Sequence, residues 1–385
     1  MKRRGFLAGL GGAAVGGALV PKLLPHAWCG VAHAQDAIDF ARPEGQRRIS
    51  WVPARHYEKL EGRKVLCRLC PRECRVARGE RGYCGVRENR DGDYFTLVHG
   101  RACAIHVDPI EKKPLFHFLP GTQALSLATA GCNMECRFCQ NWEISQFRPE
   151  QVDSVAAPPA GLLRLCRRDG VPTIAYTYSE PTIFYEYMLD IARATHAAGM
   201  HSVVISNGYI QEAPLRELAP HLSAYKVDLK AYTPEFYKQQ CNATLPPVLQ
   251  TLRTLRSLDL WTEIVVLIIP TLNDAERSNR EMFRWIQGEL GPDVPVHLTR
   301  FHPTYKIRNL PRTPIRTLER LHAIAREEGL HFVYVGNAPG HAAESTYCPS
   351  CGERVIERYG YFIGEIRLDA GCCGACGAPI PGVWS

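Results

Sequence analysis

Short apolar runs alternate with helix-like periods between residues 124 and 336, and this alternation leaves few folds open to the chain. One helix pattern spans residues 181–198, and another follows Thr313 and Pro314. Strands that alternate with helices predict an α/β fold with parallel strands, either a (β/α) barrel or an open doubly wound sheet. Both architectures place chemistry at the carboxyl ends of their strands. The apolar runs are 125–130, 173–178, 202–206, 224–229, 263–269, 296–300 and 331–335.

The composition is that of a globular chain with many thiols. Its 385 residues are 45% hydrophobic and 22% charged, which excludes intrinsic disorder, collagen-like repetition and a multi-pass membrane protein. The formal charge of +7 is no argument for nucleic-acid binding, because residues 1–34 carry four basic side chains and no acidic one. A chain of this length does not need disulfides to fold, so its 16 Cys indicate another purpose.

A three-cysteine motif follows the first predicted strand directly. Cys132, Cys136 and Cys139 have the spacing C-x3-C-x2-C, and the next cysteine, Cys166, lies in a helical pattern. Three thiolates can hold three irons of a [4Fe-4S] cube and leave the fourth iron open to a substrate. A three-cysteine zinc site and an electron-transfer cluster with a distant fourth ligand are the alternatives, although the loop has no well-placed His for zinc.

The motif, with aromatic Phe138 just before its third cysteine, resembles that of the radical S-adenosylmethionine (radical SAM) superfamily. Similar segments at later strand ends extend the resemblance over most of residues 121–340. It implies a partial (β/α)6-type barrel and an enzyme that binds S-adenosylmethionine at the open iron. A low-potential electron donor would then drive cleavage to methionine and a 5′-deoxyadenosyl radical, which abstracts hydrogen from a substrate.

The resemblance also assigns cofactor binding to residues at successive strand ends. In the family the second strand end binds the methionine amino group, and the third resembles a turn that binds ribose and carboxylate. The fourth and sixth strand ends resemble the pyruvate formate-lyase activase branch, and there Lys230 and His302 are the expected catalytic residues. The expected cofactor-binding residues are Phe138, Tyr178, Glu180, Ser206, Asn207, Asp228, Lys230 and His302.

Within the superfamily the chain is similar to the AmmeMemoRadiSam subgroup, whose members look like the pyruvate formate-lyase activating enzyme. The likeness rests on a cysteine block at 67–84, the segment 108–115 with His117, and the stretch from Gly131 to Trp142. It implies an unidentified substrate and Memo-like and AMMECR-like partner proteins. One alternative is an activase that makes a glycyl radical on a partner protein. Another is an exported multi-cluster iron–sulfur electron carrier that makes no radical.

Two C-x2-C pairs near the carboxyl terminus, each followed by Gly, predict a zinc-ribbon-like module. Four thiolates close a tetrahedral coordination shell, so we expect a structural role. A rubredoxin-like iron site would use the same ligands. The four cysteines are Cys348, Cys351, Cys373 and Cys376.

A second four-cysteine block precedes the barrel and consists of Cys67, Cys70, Cys74 and Cys84. It could hold zinc, or a second, fully ligated cluster that passes electrons to the first, and the spacing does not choose between them. Four other cysteines are expected to be small buried apolar residues. These are Cys103, Cys166, Cys241 and Cys372.

The first residues have the pattern of a twin-arginine signal, with paired arginines before a Gly- and Ala-rich apolar stretch and a small-x-small site before Gln35. The stretch is too short and too rich in Gly for a stable membrane span. We therefore expect a protein that folds and is loaded in the cytoplasm and is exported to the periplasm, and one that stays cytoplasmic if the signal is not used. The predicted regions are a signal peptide at 1–34, a Cys-rich extension at 35–120, a radical SAM core barrel at 121–340 and a zinc-ribbon-like module with four cysteines at 341–385.

Overall fold

Seven short strands come first in the computed structural model, which describes residues 49–385, so that the predicted signal lies outside the described residues. They form small antiparallel sheets that carry the first cysteine block, with Cys67 at the end of one strand and Cys84 shortly before another. The strands are β1 (Val52–Pro53), β2 (Tyr57–Leu60), β3 (Lys64–Cys67), β4 (Arg75–Val76), β5 (Arg87–Arg90), β6 (Asp93–Thr96) and β7 (Arg101–Ala102).

An eight-stranded sheet forms the centre of the described part of the chain. All seven apolar runs noted in the sequence are strands of this sheet, which confirms them. The next strands along the chain are β8 (Ala104–Pro109), β9 (Gln123–Ala128), β10 (Val155–Ala156, paired with β7), β11 (Thr173–Tyr176), β12 (His201–Ser206), β13 (Ala224–Asp228), β14 (Thr262–Ile268), β15 (Val296–Arg300) and β16 (Val333–Gly336).

The order of the central sheet is β16-β15-β14-β13-β12-β11-β9-β8, and only β8 is antiparallel to its neighbour. Each parallel strand lies beside the next one along the chain, without the reversal of a doubly wound sheet. The sheet has seven parallel strands where a (β/α)6-type barrel was predicted, and β8 adds an antiparallel edge.

Helices connect the parallel strands and bury apolar faces against them, as α7 does with Met282, Phe283 and Ile286. The crossover patterns seen in the sequence are confirmed, the first preceded by one 3-10 turn at Pro181–Phe184. The helices are α1 (Trp142–Ser145), α2 (Pro159–Asp169), α3 (Tyr185–Ala197), α4 (Glu212–Leu218), α5 (Pro234–Cys241), α6 (Pro246–Ser257), α7 (Glu276–Leu290) and α8 (Ile315–Glu327). None of the helices in residues 49–385 is long and apolar enough to cross a membrane.

The carboxyl-terminal residues form a small β module that contains an antiparallel hairpin. Its core includes Val355, Ile356 and Ile380, which pack with Phe116 and Tyr334 next to the central sheet. The strands are β17 (Thr346–Tyr347), β18 (Arg354–Tyr359), β19 (Phe362–Ile366), β20 (Leu368–Asp369) and β21 (Cys372–Cys373).

Candidate active site

A cavity of about 990 Å³ lies at the carboxyl ends of the parallel strands. Its wall includes residues that follow β11, β12, β13 and β15, as parallel-sheet architecture predicts. The hairpin between β18 and β19 also lines it, through Tyr359, Tyr361 and Phe362. Of the residues expected to bind cofactor, the cavity wall contains Phe138, Tyr178, Glu180, Asn207, Asp228, Lys230 and His302.

The three-cysteine motif forms a loop after β9, and Cys132, Cys136 and Cys139 all line the cavity. No other cysteine in residues 49–385 does so. The loop starts at Gly131, which has a φ of +102°, and a Cβ added to this glycine would lie only 2.8 Å from the Cys84 carbonyl oxygen, so a side chain has no room here. Burial raises the pKa of the Cys132 and Cys139 thiols.

The carboxyl-terminal end of α5 holds this loop in place. The Glu135 amide donates to the Cys241 carbonyl oxygen at 3.0 Å, and the Arg137 amide donates to that of Gln240 at 2.8 Å. The Cys241 thiol is buried, as expected, and its interaction with the Cys136 thiol lowers the pKa of Cys136. The sequence carries no local signal for this contact, because the two cysteines are far apart along the chain.

Glu180 connects the ends of β11 and β12. Its Oε1 accepts from the Thr182 amide (3.0 Å), the Thr182 hydroxyl (2.7 Å) and the Ser206 hydroxyl (2.7 Å), whereas Oε2 accepts from the Asn207 amide at 2.8 Å. Burial raises the pKa of Glu180, and these hydrogen bonds oppose the rise. Ser206 is not part of the cavity wall, so its hydroxyl positions Glu180.

The Asn207 side chain joins this turn to the cysteine loop. Its Nδ2 donates to Asn133 Oδ1 at 2.9 Å and lies 4.0 Å from Cys132 Sγ. Asn133 in turn donates to the Tyr209 carbonyl oxygen at 2.7 Å. The second and third strand ends therefore contact the loop that carries the three thiols.

A lysine, an aspartate and a second lysine alternate along the end of β13. Asp228 accepts from Lys226 through Oδ1 and from Lys230 through Oδ2, the latter at 2.9 Å. Burial acts to lower the pKa of Lys230, but Asp228 and the Cys136 thiol outweigh it and raise that pKa. Lys226 was not predicted as part of the site. Alternate residues of a strand lie on the same face, so its position two residues before Asp228 was a usable signal.

Residues before β9 add a polar group that sequence reasoning left without a role. Asp108 accepts from Lys112 (2.8 Å), Lys113 (2.6 Å) and the Tyr178 hydroxyl (2.5 Å). Lys113 lines the cavity, and its burial lowers its pKa to about 8, although Asp108 opposes the shift. Tyr178 has a φ of +65°, a strained backbone conformation held by Asn141 of the cysteine loop, whose Nδ2 donates to its carbonyl oxygen at 2.7 Å.

The two remaining predicted residues, Phe138 and His302, also line the cavity. Phe138 is buried and its ring lies 5.7 Å from that of Phe236 on α5. His302 follows β15, and burial lowers its pKa, with Arg312 and Arg300 acting in the same direction. His297 on β15 also faces the cavity, where its Nε2 lies 2.7 Å from Glu263 Oε2.

The flanking cysteine groups differ in spacing. In the carboxyl-terminal module four ligand sulfurs lie within 4.8 Å of one another, with 3.7 Å between Cys348 and Cys376 and 3.8 Å between Cys351 and Cys373. Within the described residues, no other group of three or more His, Cys, Asp or Glu brings its ligand atoms so close together. The first cysteine block instead surrounds a small separate cavity, lined by Cys67, Cys70, Cys74 and Cys84.

Several known proteins are similar to this chain. The family model of the radical SAM superfamily matches residues 126–282. The chain is 45% identical over 329 residues to an uncharacterized protein of Methanocaldococcus jannaschii, MJ0808, and this match covers 85% of the chain and 98% of that protein. A second uncharacterized protein of that organism, MJ0674, is 22% identical over 283 residues, covering 70% and 76%. The solved structure of a radical SAM methyltransferase from Sphaerobacter thermophilus has 18% identity and a TM-score of 0.46, and the match covers 61% of this chain and 71% of that one.

The fold and the family match define an α/β enzyme of the radical SAM type. This chain belongs to the radical SAM superfamily, and that membership implies a [4Fe-4S] cluster and S-adenosylmethionine. The residues fit both groups. Three thiols and no fourth described cysteine line the cavity, so a cube held by Cys132, Cys136 and Cys139 would have one iron without a protein ligand.

Proposed function

We propose that the enzyme reductively cleaves S-adenosylmethionine and uses the resulting 5′-deoxyadenosyl radical to abstract hydrogen from a substrate in the same cavity. The observation that carries this proposal is the set of three thiols on one wall of a cavity of about 990 Å³ that also contains the polar strand ends. When bound, the cluster supplies the electron that breaks the sulfonium carbon–sulfur bond. The protein supplies position and charge.

Glu180 and Asn207 suit the amino end of the cofactor. A carboxylate has about four lone-pair sites, two on each oxygen. Oε1 of Glu180 already accepts three hydrogen bonds but Oε2 only one, so Oε2 can accept another from an ammonium group. The Ser206 and Thr182 hydroxyls hold this carboxylate in one orientation.

The lysine pair around Asp228 suits a carboxylate. Asp228 is shared by Lys226 and Lys230, and the raised pKa of Lys230 keeps its ammonium group charged, whereas burial lowers the pKa of Lys226. The charge of Lys230 also acts on the Cys136 thiol, which places it near the cluster ligands. Lys230 and His302 are the residues that we propose orient cofactor and substrate at the cavity mouth.

The yield of 5′-deoxyadenosine from anaerobically reconstituted enzyme, S-adenosylmethionine and a strong reductant tests the proposal. We expect product from the native enzyme and none from Cys136→Ala. The competing function is an electron carrier, which would need a fourth protein ligand on the central cluster. A native enzyme that contains the cluster but gives no product would overturn the radical mechanism in favour of that carrier.

We further propose that the chain is an AmmeMemoRadiSam enzyme whose low-potential donor and Memo-like and AMMECR-like partners act with it. The support is that Glu111, Lys112 and Lys113, in the segment quoted for that subgroup, line the cavity. Deuterated candidate substrates would test it by deuterium transfer to 5′-deoxyadenosine. Transfer from a glycine of a partner protein would support the activase alternative instead.

For the carboxyl-terminal cysteines we propose a structural zinc ion in a zinc-ribbon-like module. Zinc bound by four thiolates at about 2.3 Å in a tetrahedron places the sulfurs about 3.8 Å apart. The distances of 3.7 Å and 3.8 Å between the sulfurs agree with that value. A rubredoxin-like iron would fit the same spacing, so metal analysis of the purified protein is the test.

The twin-arginine signal remains a proposal about the cellular location. Fractionation followed by amino-terminal sequencing tests it. A mature chain that starts at Gln35 in the periplasm would support export. An intact amino terminus found only in the cytoplasm would contradict it.

A further inference from the structure

The first cysteine block surrounds its own small cavity, away from the large one. Cys67, Cys70, Cys74 and Cys84 all line it. The loop between these cysteines folds back on itself, because the Tyr83 amide donates to Cys74 Sγ at 3.4 Å and the Cys67 amide donates to the Cys74 carbonyl oxygen at 2.9 Å. The four cysteines of the block therefore line one small cavity.

Two buried side chains at this cavity, Arg87 and Tyr94, carry hydrogen-bond donors that have no partner in the described structure. Arg87 is 1% exposed, and although its Nη2 donates to Glu186 (2.8 Å) and to the Arg55 carbonyl oxygen (2.7 Å), its Nε and Nη1 make no hydrogen bond. The Tyr94 hydroxyl is likewise buried and unpartnered. Unpaired buried donors are costly, and here both side chains line the cavity of the four thiols. A negatively charged thiolate centre would give them acceptors.

The spacing of the four sulfurs favours a cluster over a single ion. A single tetrahedral ion draws its four sulfurs together, as in the carboxyl-terminal module. In a [4Fe-4S] cube each sulfur binds a different iron, so the sulfurs lie farther apart. The four carboxyl-terminal sulfurs all lie within 4.8 Å of one another. Within residues 49–385, neither the first block nor the central motif has three sulfurs this close together.

The small cavity adjoins the loop of the central motif. Arg72 Nε donates to the Asn133 carbonyl oxygen at 2.8 Å, and Asn133 and Thr182 both line the small cavity. Asn133 directly follows the central ligand Cys132, and Thr182 donates to Glu180 in the large cavity. The Cys84 carbonyl oxygen also packs against Gly131. One layer of residues thus separates the two cysteine sites.

We propose that Cys67, Cys70, Cys74 and Cys84 hold a second, fully ligated [4Fe-4S] cluster that relays electrons to the central one, with Arg87 and Tyr94 as hydrogen-bond donors to its sulfurs. An external low-potential donor gives one electron to the second cluster and reduces it. The same electron then passes to the central cluster, and the second cluster returns to its oxidised state. No bond forms or breaks in this relay. The relay rests on the proposed function, whereas the existence of the second cluster does not.

The first test uses the full chain with all three central ligands removed, Cys132→Ala, Cys136→Ala and Cys139→Ala, reconstituted anaerobically. We expect it to retain about four irons and about four sulfides per chain and to give, when reduced, a cluster EPR signal that S-adenosylmethionine does not alter. The sulfide content separates this cluster from any single ion in the carboxyl-terminal module. Zinc without sulfide, or no metal at the first block, would overturn the proposal whatever the native enzyme does to S-adenosylmethionine.

A milder variant tests the site without removing a ligand. Tyr94→Phe in the same triple-variant background removes one hydroxyl donor, and we expect the midpoint potential of the remaining cluster to become more negative, because hydrogen bonds to the sulfurs raise it. The matched control is Tyr57→Phe on β2, whose ring lies 5.6 Å from that of Tyr94 and which does not line the small cavity. Equal potentials in all three proteins would contradict the assigned role of Tyr94.

Discussion

The central and carboxyl-terminal cysteine sites use the same ligand atom in opposite surroundings. Three central thiols line a large cavity that they share with carboxylate, amide and ammonium groups. Four carboxyl-terminal thiols lie within 4.8 Å of one another, two of them on exposed residues, and none lines that cavity. Four thiolates complete a coordination shell and leave a metal nothing to bind, whereas three leave a position open. We therefore expect the central site to carry chemistry and the carboxyl-terminal site to stabilise its module.

Removal of one central thiol should have the largest effect on activity. Cys139→Ala leaves the cube with two protein ligands, and we expect formation of 5′-deoxyadenosine to fall below detection. Cys376→Ala in the carboxyl-terminal module should keep the central cluster and most of the activity per cluster. Comparison of product yield per bound iron–sulfur cluster checks both. Equal loss in the two variants would break the distinction between the two sites.

Metal removal should unfold the carboxyl-terminal module and leave the central sheet folded. Structural zinc sites contribute about 10–16 kcal/mol to the folding free energy of small zinc domains. The few buried apolar residues of this module cannot supply a stabilisation of that size once the metal is lost. We expect a chelator to abolish hydrogen-exchange protection in β18 and β19 but not in β12 or β13. Unchanged protection of β18 and β19 in metal-free protein would show that the thiols are not a structural site.

The contact between the sheet and the module should make stability depend on pH. His117 is buried, donates from Nδ1 to the Pro381 carbonyl oxygen (2.6 Å) and accepts at Nε2 from the Tyr334 hydroxyl (2.5 Å), which suits a neutral ring. Burial lowers its pKa to about 4. In the unfolded chain this imidazole has its ordinary pKa of about 6.5, so as the pH falls it is protonated there before it is protonated in the folded chain. The free energy of unfolding therefore has its full value above about pH 6.5 and decreases toward pH 4, by up to about 3 kcal/mol.

Urea unfolding at several pH values checks this expectation. His117→Gln should flatten the decrease between pH 6.5 and 4, because the variant has no proton to gain at this position. His196→Gln, at an exposed position on α3, is the matched control and should follow the native chain. A native-like pH dependence of His117→Gln would show that other groups cause the loss.

Lys230→Ala should weaken cofactor binding and preserve the central cluster. A hydrogen bond to a charged group contributes about 1.5–3 kcal/mol, which corresponds to at least a tenfold rise in the Kd of S-adenosylmethionine. The exposed Lys238 on α5 offers the control variant Lys238→Ala. Titration of the reconstituted proteins measures both, and an unchanged Kd in Lys230→Ala would contradict the proposed role.

The sequence predicts the strands and the strand-end residues because both are local patterns. Each buried strand is a short apolar run, and the polar residues after it stand where parallel strands expose their ends. The antiparallel strand β8 was missed because His106 and Asp108 interrupt its apolar pattern. For the same reason the hydrogen bonds of Asp108 to Lys113 and Tyr178 could not be predicted, since they form only when β8 pairs with β9.

Cys241→Ala should have the smallest effect and is the sharpest check on the open position of the central site. The Cys241 thiol lowers the pKa of the Cys136 thiol, so in an electron carrier Cys241 is the candidate protein ligand for the fourth iron. It does not line the cavity, however, and the peptide contacts that hold the cysteine loop come from its backbone. We therefore expect the variant to keep its cluster and its 5′-deoxyadenosine yield within about twofold, since an exchange of one thiol for a methyl group leaves those backbone hydrogen bonds in place. Loss of the cluster in Cys241→Ala, with Cys166→Ala on α2 unaffected, would mean that the central site is closed by a fourth cysteine like the carboxyl-terminal one.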